Sequence, residues 1–160
     1  MILVAIGSNL PSAAGSPREN VEAAVMSLRR EGVAVVACSR WWSSAPVPPS
    51  GQGRYVNGVA RVETSQTPLD LLRTLHRIED RFGRARGVPN AARTLDLDLI
   101  DYDGQVRSEG EVILPHPRLS ERAFVLLPLA EVAPGWVHPV TGKTLRELIA
   151  ELPEQDCQLI

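Results

Sequence analysis

Runs of apolar residues and strict alternation divide the chain into predicted strands. Residues 2–6 are continuously apolar and end at Gly7-Ser8-Asn9, which indicates a strand buried on both faces and followed by a turn. Residues 33–42 and 55–64 are rich in β-branched and aromatic side chains and predict a second and a third strand. In the third strand, one face would carry Tyr55, Asn57 and Val59, and the other Val56, Gly58, Ala60 and Val62.

Two segments repeat apolar residues at helical spacing. Residues 16–19, Ser-Pro-Arg-Glu, place a capping serine, a first-turn proline and a glutamate at the start of one helix, and Thr67-Pro68 open the other. Gly32 and Gly83 would end them. Thr144 can cap a last helix, whereas prolines leave room only for short helices in residues 114–134.

Leucine and aspartate alternate in residues 95–99, a period of two that is typical of a strand. The leucines share one face and can enter a core, while Asp96 and Asp98 share the other. Their Cα atoms would lie roughly 6–7 Å apart. Such a pair is costly without a cation, because the like charges repel. A solvated outer strand face is the alternative interpretation.

Three connections complete the pattern. Residues 45–53 contain three prolines and two glycines and predict a long loop, either functional or a plain connection. Residues 84–93 form a second, basic loop. Asp103-Gly104 predict a tight turn and a hairpin back through Val106.

The element order is strand, helix, strand, strand, helix, strand. It predicts an α+β fold, a ferredoxin-like β-α-β-β-α-β sandwich whose antiparallel sheet carries helices on one face, with additions at the C-terminal end. At 160 residues we expect a single domain over residues 1–160.

Net charge, cysteine content and the length of apolar segments limit the partners and the compartment that we expect for this protein. A net charge of −2 provides no basic field for nucleic acid or an anionic membrane. Cys38 and Cys157 match no metal or redox spacing, and we expect free thiols in a reducing compartment. The apolar start is too short for a signal or membrane segment. We expect a cytoplasmic monomer.

The carboxylate pair and nearby arginines predict a polyphosphate site. Asp96 and Asp98 suit Mg²⁺, which completes its coordination with water and phosphates. Arginines hold phosphate bidentately, although any single one can be a plain surface charge. No P-loop is present. The arginines around the aspartates are Arg84, Arg86, Arg93, Arg118 and Arg122.

Other candidates are a histidine and an aromatic pair. His116 lies between two prolines and could donate to a phosphate or a leaving group, with a structural role as the alternative. Tyr55 and Phe124 could stack on a flat heterocycle, and Asn57 could read its edge, although core packing would also explain Phe124.

Residues 93–100 (RTLDLDLI), 114–118 (LPHPR) and 122–129 (RAFVLLPL) resemble the signature of the 6-hydroxymethyl-7,8-dihydropterin pyrophosphokinase family. The resemblance covers nearly the whole chain. It implies a ferredoxin-like fold and transfer of the β,γ-pyrophosphoryl group of ATP to the pterin hydroxymethyl group, which gives AMP and the pterin diphosphate in folate biosynthesis.

The resemblance also implies roles for individual residues. Asp96 and Asp98 would bind two Mg²⁺ ions and, with Arg84 and Arg93, form the catalytic set. The pterin would meet Ser44, Ala45, Pro46, Val47, Tyr55, Asn57 and Phe124. The nucleotide would meet Arg84, Arg86, Arg93, His116 and Arg122. The implied partners are ATP and the pterin.

Two rival functions remain at this point. A ferredoxin-like RNA-binding module would use sheet aromatics and a basic face, but aromatic residues make up only 4% of the chain and its net charge is negative. The other rival is an interaction domain without catalytic activity, which would give no calorimetric signal when ATP and Mg²⁺ are added.

Overall fold

Six strands form one antiparallel sheet in the computed structural model, which describes residues 1–84 and 91–160. A short 3₁₀ turn, Leu119–Glu121, precedes the third helix. In chain order the elements are β1 (Ile2–Ser8), α1 (Pro17–Arg30), β2 (Ala34–Cys38), β3 (Trp42–Ser44), β4 (Tyr55–Glu63), α2 (Pro68–Arg81), β5 (Asp96–Tyr102), α3 (Ala123–Val132), α4 (Leu145–Glu151) and β6 (Cys157–Leu159).

The strands lie in the order β5-β1-β4-β3-β6, and β2 also pairs with β4. If β2 and β3 are counted as one interrupted strand, the first four lie in the order that a ferredoxin-like β-α-β-β-α-β unit requires, with β6 added at one edge. The predicted fold class is therefore confirmed.

The helix starts also agree with the sequence. The Ser16 side chain accepts the Glu19 N–H while the Glu19 carboxylate accepts the Ser16 N–H, and Pro17 occupies the first helical position. Thr67 and Thr144 accept the corresponding N–H groups at the starts of α2 and α4. Each cap satisfies a donor that the helix itself cannot.

The predicted second strand is interrupted. Ser39 separates β2 from β3, because its hydroxyl accepts the Val59 N–H at 2.9 Å in place of a backbone carbonyl. Trp41 then lies over Gly58, where an added Cβ would be 2.5 Å from the indole ring. The chain therefore leaves the strand at Ser39 and re-enters the sheet at Trp42.

The hairpin predicted after β5 is wrong, although its turn is present. Asp103 and Gly104 have φ of 52° and 70°, yet no strand follows through Val106 in the described chain. The outer edge of β5 is occupied differently: a Glu79 carboxylate oxygen accepts the Leu97 N–H, and the Ile100 carbonyl accepts the His116 N–H.

The two helices of the β-α-β-β-α-β unit lie on one face of the sheet, as predicted, and the helices of the C-terminal additions lie on the other face. On one face α1 and α2 enclose a core that includes Leu95, Leu97 and Leu99, and on the other α3 and α4 pack around Ile100. The ten-residue α3 continues through Pro128, although a proline inside a helix removes one helical hydrogen bond. Over residues 1–84 and 91–160, no helix is long and apolar enough to cross a membrane.

Candidate active site

A cavity of about 480 Å³ lies on the face of the sheet that carries α3. Its floor is made by β1, β4 and β5, one wall by the loop of residues 45–53, and the opposite wall by the segment that leads into α3. The C-terminal residues Pro153 and Gln155 also line it. Predicted site residues that line the cavity are Ser44, Ala45, Pro46, Val47, Tyr55, Asn57, Arg93, Asp96, Asp98, His116, Arg118, Arg122 and Phe124.

The register of the sheet explains why residues distant in the chain share this floor. Gly7 on β1 lies opposite Asp96 on one side and Asn57 on the other. In the next row, Ala5 lies opposite Asp98 and Val59. Directly paired residues of antiparallel strands point to the same face, so the aspartates and Asn57 face one space across two small residues.

Gly7 leaves the floor open. A Cβ added there would be 3.0 Å from the Asn57 Oδ1 and 3.9 Å from the Tyr55 ring. The sequence pattern predicts a turn that begins at Gly7, whereas in the structure Gly7 lies within β1. Its position in the middle of the sheet depends on the pairing of β1 with both β4 and β5.

Asp96 is held by two arginines. Arg84 Nη1 donates to Asp96 Oδ1 at 2.9 Å, and Arg93 Nη1 donates to Asp96 Oδ2 at 3.1 Å. The Asp96 side chain is 21% exposed, so one edge of the carboxylate still faces the cavity. Arg84 does not line the cavity itself but reaches the site through Asp96, and the predicted Arg86 lies outside the described residues.

Asp98 sits in a less favourable environment for a negative charge. Burial raises its pKa to about 7, and the negative charge of Asp96 adds to the shift. The neighbouring His116 ring places its Nε2 4.0 Å from Asp98 Oδ1. The site is thus poised to bind a cation that would favour the ionised carboxylate.

His116 is neutral at pH 7. Burial, together with the positive charge of Arg122, lowers its pKa to about 4. Its Nδ1 accepts the Arg118 N–H at 3.2 Å, which leaves the ring proton on Nε2. The imidazole therefore presents an N–H donor on the side of Asp98.

The aromatic half of the cavity is built by β3, β4 and α3. Asn57 Nδ2 donates to the buried Ser44 hydroxyl at 2.8 Å, which fixes the orientation of the amide. Tyr55 lies beside it, and burial raises the pKa of the Tyr55 phenol. Phe124 is on the facing wall with the Arg122 guanidinium carbon 5.4 Å from its ring centre, a cation–π distance.

Sequence reasoning missed Glu79, which is fully buried on α2. Its carboxylate pairs with Arg84 and accepts the Leu97 N–H at 2.8 Å, between the two aspartates. A signal was available: Glu79 lies four residues after Leu75 and three before Phe82, so it is a charge on the apolar stripe of α2.

Asn9 is a second residue that the sequence did not single out. Its Oδ1 accepts the Arg93 N–H at 2.7 Å, and its Nδ2 donates to Gln52 and Gly53 of the loop. Asn9 thereby ties the arginine beside Asp96 to the loop wall.

The donors available in the cavity fit Mg²⁺ better than a softer metal. Among residues 1–84 and 91–160 no group of three or more His, Cys, Asp and Glu could hold an ion. Two carboxylates on one face are the set that a magnesium site needs when waters and substrate phosphates complete the octahedron. Each carboxylate keeps acceptor positions beyond those that its neighbours occupy.

Comparison with known proteins identifies relatives over nearly the whole chain. A family model described as 7,8-dihydro-6-hydroxymethylpterin-pyrophosphokinase matches residues 3–134. A 2-amino-4-hydroxy-6-hydroxymethyldihydropteridine pyrophosphokinase of Synechocystis sp. is 39% identical over 99% of this chain and 77% of its own length. The Pseudomonas aeruginosa protein of that name is 41% identical over 95% of this chain and 91% of its own.

A solved structure agrees on the fold. Plasmodium falciparum HPPK-DHPS with pteroate superposes with a TM-score of 0.71 at 12% identity. The match covers 94% of this chain but only 44% of the Plasmodium chain. At that identity the likeness supports the architecture alone.

Proposed function

Because the chain belongs to the 7,8-dihydro-6-hydroxymethylpterin-pyrophosphokinase family, we propose that it transfers pyrophosphate from ATP to the hydroxymethyl group of 6-hydroxymethyl-7,8-dihydropterin. The pterin oxygen attacks the β-phosphorus of ATP, the bond from that phosphorus to the α-phosphate oxygen breaks, and AMP leaves. The hydroxyl proton is lost as the new P–O bond forms. The pterin diphosphate is the second product, and the reaction belongs to folate biosynthesis.

The observation that carries the proposal is the shared floor of the cavity. The row Asp96–Gly7–Asn57 runs across β5, β1 and β4, so a phosphate-type subsite and a heterocycle-type subsite adjoin. Two substrates bound there would meet over Gly7 and Ala5. Positioning of this kind can supply a large part of a phosphoryl-transfer rate.

At the aromatic end, Tyr55 and Phe124 would enclose the flat pterin and Asn57 would hydrogen-bond to its edge. Support comes from the fixed Asn57 amide, whose Oδ1 faces Gly7 and not Ser44. Residues 44–47 also line the cavity. The mixture of aromatic faces and a single oriented amide suits a planar heterocycle with donors and acceptors on one edge.

At the acidic end, Asp96 and Asp98 would hold two Mg²⁺ ions. When bound, the ions would neutralise charge on the phosphates and on the attacking oxygen. Arg84 and Arg93 orient the Asp96 carboxylate and, with Arg122, bring positive charge to the phosphates. Arg86 would join them.

His116 would donate from Nε2 to a phosphate oxygen of the nucleotide. Its pKa of about 4 keeps it a neutral donor throughout the physiological range. As a neutral group it adds no charge to the site, and its proton stays at a defined nitrogen because the Arg118 N–H occupies Nδ1.

We expect the enzyme to act as a monomer.

The test is the identity of the nucleotide product. ATP, Mg²⁺ and the hydroxymethyl dihydropterin should together yield AMP and the pterin diphosphate in equal amounts, as measured by anion-exchange chromatography. Omission of the pterin or of Mg²⁺ should abolish AMP release. Formation of ADP, or of AMP without the pterin, would contradict the proposal.

A further inference from the structure

Residues 153–159, here the C-terminal strap, contact both walls of the cavity. The strap begins after α4, passes Pro153 and Gln155 at the cavity surface, and ends as β6 beside β3. Part of it is an ordinary edge strand. Its first half carries two side chains whose contacts reach in opposite directions.

Asp156 fastens the strap to the loop wall. Its carboxylate receives a bidentate pair of hydrogen bonds from Arg54, at 2.7 and 2.8 Å, and its carbonyl accepts the Ala45 N–H at 3.2 Å. Arg54 also donates to the Ser43 hydroxyl at 2.7 Å. Both ends of the loop of residues 45–53 are therefore tied to the same strap residue.

Gln155 fastens the strap to the aromatic wall. Its Oε1 accepts the Ala123 N–H at 3.0 Å, and its Nε2 donates to the Glu121 carbonyl at 2.8 Å. Ala123 is the first residue of α3, and Arg122, which precedes it, makes no side-chain cap. Gln155 thus supplies, from 32 residues away, an acceptor that the start of α3 lacks locally.

The residues on either side of that bond are Arg122 and Phe124, both on the cavity wall. Movement at the start of α3 would displace the Phe124 ring and the guanidinium stacked on it. The strap holds this segment at a fixed separation from Ser44 and Ala45, which line the opposite side of the cavity.

We infer that Gln155 is a positioning residue for the pterin subsite: its side chain fixes the start of α3, and Asp156 anchors it to the loop wall, so that the gap between Tyr55 and Phe124 matches a flat ring. The inference rests on the proposed function. Each end of the Gln155 side-chain amide bonds to the backbone at the start of α3, next to Phe124, and this is the contact through which Gln155 would position the ring.

The inference predicts an effect on one substrate only. Gln155→Met keeps the length of the side chain but removes both hydrogen bonds. We expect the KM for the pterin to rise about tenfold, the effect of losing one helix cap, and the KM for ATP to change less than about twofold. Binding of 6-hydroxymethylpterin, followed by its fluorescence without ATP, should weaken by the same factor.

Two further variants sharpen the experiment. Gln155→Glu keeps the acceptor for the Ala123 N–H but loses the donor to Glu121, and it should recover about half of the loss in free energy of pterin binding. Gln105→Met makes the same substitution at a glutamine that does not line the cavity and should leave both KM values unchanged.

The outcomes separate the two proposals. A parent protein that forms no AMP contradicts the proposed function. An active parent whose Gln155→Met variant binds the pterin normally, or loses affinity for both substrates equally, overturns the positioning role. If Gln155→Met does not fold, Gln155→Glu decides: a pterin-specific weakening of twofold or more supports the role, and unchanged pterin binding overturns it.

Discussion

Glu79 and Leu97 are joined by a hydrogen bond of 2.8 Å from the Leu97 N–H to a carboxylate oxygen that is fully buried. Leu97 lies between Asp96 and Asp98 on β5, an edge strand of the sheet. The same carboxylate pairs with Arg84, which in turn bonds to Asp96. Glu79 therefore accepts a hydrogen bond from a backbone N–H at the edge of the sheet, on the strand that carries both aspartates.

Replacement of Glu79 should destabilise the protein. Glu79→Leu leaves the Leu97 N–H and the largely buried Arg84 without this carboxylate, and we expect a loss of about 3 kcal/mol in the free energy of unfolding by urea. Glu22→Leu, at an exposed glutamate paired with Arg18, is the matched control and should change stability by less than about 0.5 kcal/mol. Equal effects of the two variants would contradict a bridging role for Glu79.

Asp96→Asn should lower kcat by at least about a hundredfold while the fold persists, because the amide binds Mg²⁺ poorly and no longer pairs with two cations. Far-ultraviolet circular dichroism and the unfolding midpoint check the fold. Asp103→Asn is the control: it makes the same change in the exposed turn after β5, where asparagine tolerates the positive φ. Full activity of Asp96→Asn would remove the metal role.

Gly7→Ala should weaken pterin binding without a comparable effect on ATP. The new methyl group would press on the Asn57 amide at 3.0 Å, and relief of the contact turns that amide away from the ligand. We expect the pterin KM to rise about tenfold, which corresponds to about 1.4 kcal/mol. Gly135→Ala, where nothing lies within 4 Å of the added carbon, should behave as the parent. A parent-like Gly7→Ala would show that the floor tolerates a side chain.

Metal affinity should depend on pH through Asp98. Its folded-state pKa is raised to about 7, so the carboxyl is mostly protonated at pH 6 and must release that proton when a cation binds. Mn²⁺ alone, followed by electron paramagnetic resonance, should bind roughly tenfold more tightly at pH 8 than at pH 6. Asp98→Asn should bind weakly and lose the pH dependence. Equal affinity of the parent at both pH values would argue against Asp98 as a ligand.

The raised pKa of Asp98 also makes the stability of the metal-free protein depend on pH. Because the pKa of Asp98 is higher in the folded than in the unfolded state, its contribution to stability is complete below pH 4 and is lost as the pH rises through 7. His116 acts in the opposite sense, since its lowered pKa costs stability as the pH falls from 6.5 towards 4. Added Mg²⁺ should therefore raise the unfolding midpoint more at pH 8 than at pH 5.

The sequence by itself determined the parts of this protein that depend on neighbours within a few residues. The capping box at Ser16 and Glu19 closes over one helical turn, and the alternation of leucine with aspartate in β5 sends the two residue types to opposite faces of any strand. The site's charged half could be predicted because both aspartates lie on one short strand. The motif resemblance supplied the function, which local physics alone left open.

The tertiary structure decided what depends on pairing across the sheet. Which strand lies beside β5, and in which register, places Gly7 between Asp96 and Asn57, and no local pattern encodes that row. An apolar stripe reports that a face is buried but not what covers it, so the second helical layer and the buried Glu79 were missed. Hydrogen bonds such as Gln155 to Ala123 join segments whose separation only the folded chain fixes.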